Sequence, residues 1–156
     1  MKKVLFISSS GGHLNEMLQL KSMFDKYDYH IITEKDDSTL WVKEKYKDKV
    51  DYLLAITRSH MITYLLGAPL NIIKSFWLYF KVKPKYIVTT GVHTAVPMCL
   101  IGHFLGSKVV YVDSFSNIHS KNLTGKILYN YTDLFIVQWD SMLELYPKAV
   151  YGGWIY

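Results

Sequence analysis

The amino-acid sequence predicts an α/β fold: a doubly wound, Rossmann-like parallel sheet with helices on both faces. Three observations carry this. Strand-length apolar runs alternate with helix-patterned segments along a chain of 156 residues. The runs are apolar throughout, as strands buried on both faces are. Polar or glycine-containing clusters follow four of them, at the strand ends where an open parallel sheet binds its ligands.

The elements follow in order. Val4, Leu5, Phe6 and Ile7 predict a first strand over 4–8. Leu14, Met17 and Leu18 recur at three and four and predict a helix over 14–24. A second strand is expected over 29–33, a charged helix or loop over 35–49, and a third strand over 50–56. A long apolar helix is expected to start at Pro69, a residue suited to a first helical position, and to end at Lys83-Pro84. Strands over 86–90, 108–112 and 134–137 then alternate with helices over 93–104 and 123–131, Gly106 stopping the first of these helices. The final Tyr151-Gly152-Gly153-Trp154-Ile155-Tyr156 reads as a strand end with no helix after it, where a second domain would begin. The whole chain, 1–156, is expected to form one domain.

Composition narrows the class. Half the residues are hydrophobic and a fifth charged, which excludes a disordered chain. The single cysteine, Cys99, has no disulfide partner, suits a reducing compartment, and in the run from Val96 to Ile101 reads as a small buried hydrophobe. No signal peptide is expected, because only four strongly apolar residues follow Lys2 and Lys3. Residues 61–80 are long enough to span a bilayer but contain Gly67, Pro69, Asn71 and Lys74. A central lysine costs about 2.5–3.5 kcal/mol on insertion scales, so the segment reads as a helix packed on the fold or lying on a membrane surface. Between Tyr52 and Thr132 there are eight basic residues and one acid, Asp113. That imbalance suits anionic lipid or a phosphate-bearing substrate; nucleic acid is not expected, because no binding motif or basic tract is present.

The four strand-end clusters are Ser8–His13, Thr57–His60, Thr89–Thr94 and Asp113–Asn117. The first is neither a Walker A loop nor a G-x-G-x-x-G fingerprint, since its glycines are adjacent and no Gly-Lys-Ser/Thr follows. Adjacent Gly11 and Gly12 allow close backbone approach and would leave amides facing an anion, with His13 beside it; a tight turn with a surface histidine is the equal alternative. Asp113 could accept a proton from a sugar hydroxyl or orient a ligand, or serve only as a cap or salt-bridge partner. Thr124 in Thr124-Gly125-Lys126 is expected to cap a helix rather than join a P-loop. The six histidines lack metal-ligand spacing, so no metal is expected.

Six stretches in this order (SSSGGHLNEML, ITRS, KPKYIVTTGVHTAVPMCL, KVVYVDSFSNI, LTGKILYNYTDLFIVQW and LYPKAVYGG) resemble a known family. Its members are the membrane-anchoring subunit of the UDP-N-acetylglucosaminyltransferase that extends dolichol-diphosphate-GlcNAc, and bacterial relatives from capsular and exopolysaccharide gene clusters. The resemblance implies the N-terminal, acceptor- and membrane-side half of a GT-B glycosyltransferase. The donor-binding C-terminal half would be a separate partner polypeptide that holds the UDP-sugar, so no cofactor is implied for this chain and it would have little activity alone. The resemblance places His13 and Asp113 at the acceptor, a polyprenyl-diphosphate-linked sugar, as catalytic or orienting groups. Ser10, Gly11, Gly12, Arg58, Gly91, Thr94 and Ser114 are expected to bind substrate. Lys74, Trp77, Lys81 and Lys83 are expected to face the cytoplasmic membrane surface or the partner, making the protein peripheral. Two departures are visible: Asp113 stands where dolichol-type members carry glutamate, and Gly91-Val92-His93 where they carry Gly-Pro-Gly. The rival readings are a non-catalytic scaffold that recruits the partner transferase, and a stand-alone nucleotide-binding Rossmann protein.

Overall fold

The structure, a computed structural model, describes residues 1–56 and 61–155. Seven parallel strands form one sheet in the order β3-β2-β1-β4-β5-β6-β7. These are β1 (Lys3–Ile7), β2 (Asp28–Lys35), β3 (Val50–Leu54), β4 (Tyr86–Thr89), β5 (Lys108–Val112), β6 (Leu134–Val137) and β7 (Val150–Tyr151). The helices are α1 (Gly12–Leu18), α2 (Leu40–Tyr46), α3 (Met61–Val82), α4 (Val96–Phe104), α5 (Leu123–Leu128) and α6 (Met142–Leu145). The expected doubly wound parallel class is the one observed.

Strand β1 shows why the sheet needs two covered faces. Leu5 and Ile7 join Leu78, Met98 and Leu128 in one core, whereas Val4 and Phe6 join Leu14, Met17 and Val42 in the other. Successive side chains of a strand point to opposite faces, so one apolar run feeds both cores. Cys99 lies fully inside the first core, and burial pushes its thiol up to about 12.

Several boundaries differ from expectation, each for a local reason. The first helix gives way after Leu18 to a 3-10 segment, Gln19–Lys26. The strand expected over 50–56 ends at Leu54, where Asn71 takes over its hydrogen bonding: the Leu54 N–H donates to Asn71 Oδ1 (2.8 Å) and Asn71 Nδ2 donates to the Leu54 carbonyl (2.9 Å). Helix α3 starts eight residues before Pro69 and runs through it. Gly67 anchors that extra length, because a Cβ there would fall 2.4 Å from Ile56 Cγ2 and would hold the helix off the end of β3. The cap of α5 is Asn122, not Thr124; its side chain accepts from the Gly125 N–H at 2.6 Å, while Thr124 is buried inside the helix. Among the described residues no helix is long and apolar enough to cross a membrane.

Candidate functional site

Strands β1 and β4 are neighbours, yet β1 leads to β2 on one side and β4 to β5 on the other. This is the topological switch point, where the loops after the two strands diverge and leave a crevice at the carboxyl edge. His13 stands in the first turn of α1, just past the loop after β1, and Thr90 in the loop after β4. His13 Nδ1 lies 3.0 Å from the Thr90 carbonyl oxygen, and the Thr90 hydroxyl donates back to the His13 carbonyl at 2.7 Å. A carbonyl can only accept, so Nδ1 carries the hydrogen. Nε2 makes no hydrogen bond among the described residues, and the side chain is 27 % exposed.

Glu16 lies one turn further along α1 and is 5 % exposed. Its Oε2 is 3.6 Å from His13 Nδ1, while Oε1 accepts from the Ser114 hydroxyl (2.8 Å) and the Phe115 N–H (3.1 Å). The adjacent Glu16 carboxylate raises the His13 pKa above its ordinary value; partial burial opposes this, and the Thr90 carbonyl and the charge of Asp113 add to the rise.

Asp113 is almost wholly buried, and one of its oxygens carries a network. Oδ1 accepts from Asn117 Nδ2 and Asn122 Nδ2 (both 2.8 Å), the Ser114 N–H (3.1 Å) and the Tyr111 hydroxyl (3.2 Å). Oδ2 is buried and accepts no hydrogen bond among the described residues. Burial raises the Asp113 pKa, and the four donors only partly offset it. Asp113 is thus a buried carboxylate tied to the loop after β5 through Ser114 and Asn117.

Other expected site residues divide into open and framing groups. Gly11 and Gly12 are exposed with clear space in front of them, and Gly11 takes φ +74°. Ser10 is held by its N–H and hydroxyl to Glu34 Oε2, both at 3.2 Å, and the Thr94 hydroxyl donates to Glu34 Oε1. Thr94 and Ser114 are buried and spend their hydroxyls on Glu34 and Glu16, so they build the frame. Gly91, at φ +101°, lies against the His13 ring: a Cβ there would sit 3.7 Å from Nδ1 and Cε1. Arg58, with the 57–60 cluster, lies outside the described residues.

The expected membrane or partner surface is helix α3. Its outer side exposes Leu65, Leu66, Leu70, Ile73, Phe76 and Trp77, each more than half accessible. Lys74 is exposed among them. Lys81 lies 5.4 Å from the centre of the Trp77 ring and pairs with Asp51 at 2.7 Å, and exposed Lys83 closes the helix at φ +50°. Between α3, α4 and α5 runs an apolar groove of about 230 Å³, lined by Ile56, Tyr64, Ile72, Val96, Leu123 and Ile127 among others. Thr94 lines it too, which joins the groove to the Glu34–Ser10 frame.

Glu16, Glu34 and Asn122 are participants that reading the sequence missed, and Thr90 entered it only as a member of the Thr89–Thr94 cluster. Glu16 carried a usable signal, standing three residues after His13 on a helix and therefore on the same face. Glu34 did as well, as an acid near the carboxyl end of a strand beside β1.

The chain as a whole has known relatives. The family model for "Oligosaccharide biosynthesis protein Alg14 like" matches residues 4–155. The chain belongs to the Alg14-like family. It is 32% identical over 175 residues to the UDP-N-acetylglucosamine transferase subunit ALG14 of Homo sapiens, covering 96% of this chain and 81% of that one. It is 34% identical over 178 residues to the subunit alg14 of Schizosaccharomyces pombe, covering 97% and 82%. The fold of this Alg14-like chain is shared with Acinetobacter baumannii MurG (TM-score 0.69, 12% identity, 90% of this chain and 43% of that one). It is shared as well with a UDP-N-acetylglucosamine 2-epimerase (TM-score 0.73, 16% identity, 94% and 44%). The Alg14-like chain therefore spans a little under half the length of these solved structures.

Proposed function

We propose that the chain is the acceptor-side subunit of a two-component glycosyltransferase, with a separate partner holding a UDP-sugar. The observation that carries this is the His13 imidazole at the switch point, its Nδ1 committed to the Thr90 carbonyl and its Nε2 without a hydrogen bond among the described residues. The relatives' description as subunits of a UDP-N-acetylglucosamine transferase supports the reaction class and the need for a second chain.

In this reading the acceptor is a sugar linked to a polyprenyl diphosphate. Its hydrocarbon chain would follow the apolar side of α3 and the groove between α3, α4 and α5, at the cytoplasmic membrane surface. The sugar hydroxyl would approach past Gly11 and Gly12, which leave the crevice open. As the hydroxyl oxygen bonds to the anomeric carbon of the donor, the bond from that carbon to the diphosphate oxygen breaks and UDP leaves. The hydroxyl proton passes to His13 Nε2, and a base whose pKa is raised toward the working pH suits that transfer. Asp113 positions the loop rather than touching the acceptor. The narrower setting, assembly of a bacterial capsular or exopolysaccharide repeat unit, rests on the sequence resemblance.

Reconstitution with the partner subunit, a UDP-sugar and a polyprenyl-diphosphate-linked sugar tests the proposal. His13→Ala is expected to lower transfer by about 10²–10⁴-fold, the usual contribution of a positioned base. Undiminished transfer by that variant sinks the assignment of His13. Equal turnover by the partner with and without this chain points instead to a scaffold.

A further inference from the structure

We infer that Glu16 is a positioning residue that orients His13 and ties it to the loop after β5, making histidine, carboxylate and loop one mechanical unit. This rests on the reading of His13 as the base. The geometry is specific. One carboxylate oxygen faces His13 Nδ1 at 3.6 Å, and the other accepts from two donors of the loop after β5, Ser114 Oγ at 2.8 Å and Phe115 N at 3.1 Å. Glu16 and Ser114 are 98 residues apart in sequence, so this side chain ties α1 to the loop after β5. Glu16 is nearly buried, so its field on the ring is little screened by water.

The chemistry follows from which nitrogen is held. The Thr90 carbonyl fixes the proton on Nδ1, as the orienting partner of a base histidine does. A carboxylate on the same side stabilises the imidazolium that forms when Nε2 gains a proton. Among the described residues the ionisable groups facing the ring are few. Glu16 stands on its own helix, and Asp113 acts from the end of β5. Tyr111, whose hydroxyl reaches the space beside Gly91, is kept neutral by burial, which raises its pKa well above the ordinary value. Asp113 spends its accessible electrostatics on two asparagine amides and a tyrosine, which leaves Glu16 as the dominant partner of His13.

The test is an NMR titration of the His13 imidazole in the full-length chain, comparing wild type with Glu16→Gln and Glu16→Asp. Glutamine keeps an oxygen for Ser114 and Phe115 but removes the charge, and is expected to lower the His13 midpoint. Aspartate keeps the charge at shorter reach and should restore part of the shift, which keeps the test usable if the glutamine variant folds poorly. In the reconstituted transferase, the pH–rate limb of Glu16→Gln should move by the same amount, with kcat reduced about tenfold and KM little changed. An unshifted His13 titration in folded Glu16→Gln overturns the inference whatever the transfer rates are. A shifted titration together with full transfer by His13→Ala upholds the pairing and overturns only the base reading beneath it.

Discussion

His13 and Thr90 bond each other twice, ring nitrogen to carbonyl at 3.0 Å and hydroxyl to carbonyl at 2.7 Å, across the point where the sheet reverses its winding. The pair closes the gap between the loops after β1 and β4 and fixes both the ring plane and its tautomer. A histidine on a glycine-rich loop would otherwise sample several rotamers. Here the backbone of a neighbouring loop selects one.

The pairing has a pH signature. The folded-state pKa of His13 is raised, so its contribution to stability is fully present below the unfolded value and is lost as pH rises through the folded one. Urea unfolding of wild type and His13→Gln from about pH 5.5 to pH 9 should show a stability gap that is widest at the acid end and closes on going alkaline. A gap that widens with pH would mean that the ring is held neutral, against the geometry of Glu16.

Asp113 should behave as a structural acceptor. Asp113→Ala leaves two asparagine amides and the Tyr111 hydroxyl without their acceptor and is expected to cost about 2–4 kcal/mol. Asp113→Asn keeps an oxygen for those donors and removes a charge that burial disfavours, so its stability should stay near wild type at neutral pH. The sign agrees with linkage: a raised carboxyl pKa means the ionised form is the one that folding penalises. Equal destabilisation by Ala and Asn in denaturant titrations would assign the role to the charge instead.

Much of the fold was legible because it depends on local pattern. The runs Val4-Leu5-Phe6-Ile7 and Val109-Val110-Tyr111-Val112 are strands of a sheet covered on both faces, and their short length and β-branched content mark them as such. The start of α3 was not legible. Pro69 carries the signal of a first helical turn, and only the packing of Gly67 on Ile56 shows why the helix begins earlier. At the site, the loops and His13 could be placed from strand-end logic. The partners of the buried carboxylates could not: Glu16 and Glu34 each stand at a telling position, but the bonds from Glu34 to Thr94 and from Glu16 to Ser114 span 60 and 98 residues, and no local pattern pairs them.

Gly91 allows a sharp test of the frame. Its φ of +101° is a region that side-chain-bearing residues rarely adopt, although a methyl there would meet the His13 ring and the Tyr111 hydroxyl only at ordinary contact distance. Gly91→Ala is therefore expected to destabilise by about 1–3 kcal/mol through backbone strain rather than crowding. Thermal or urea unfolding distinguishes this from an unstrained site, where the same change would stabilise by about 0.4–1 kcal/mol through the unfolded chain.

The outer side of α3 makes an asymmetric prediction about two lysines. Lys81 already pairs with Asp51 and stacks near Trp77, whereas exposed Lys74 has no ion pair among the described residues. A lysine free to meet an anionic surface contributes about 1 kcal/mol, so Lys74→Ala should weaken binding to phosphatidylserine-containing vesicles roughly fivefold. Lys81→Ala should weaken binding at least as much, because it removes the same charge and also leaves the Asp51 carboxylate without its lysine partner near the anionic surface. Trp77→Ala should weaken binding at low and high salt alike, since its contribution is apolar, while the Lys74 effect should fade as salt is raised. Co-sedimentation over a salt series measures all three. Binding that is unchanged by Lys74→Ala and Trp77→Ala would assign this side of α3 to a protein partner instead of lipid.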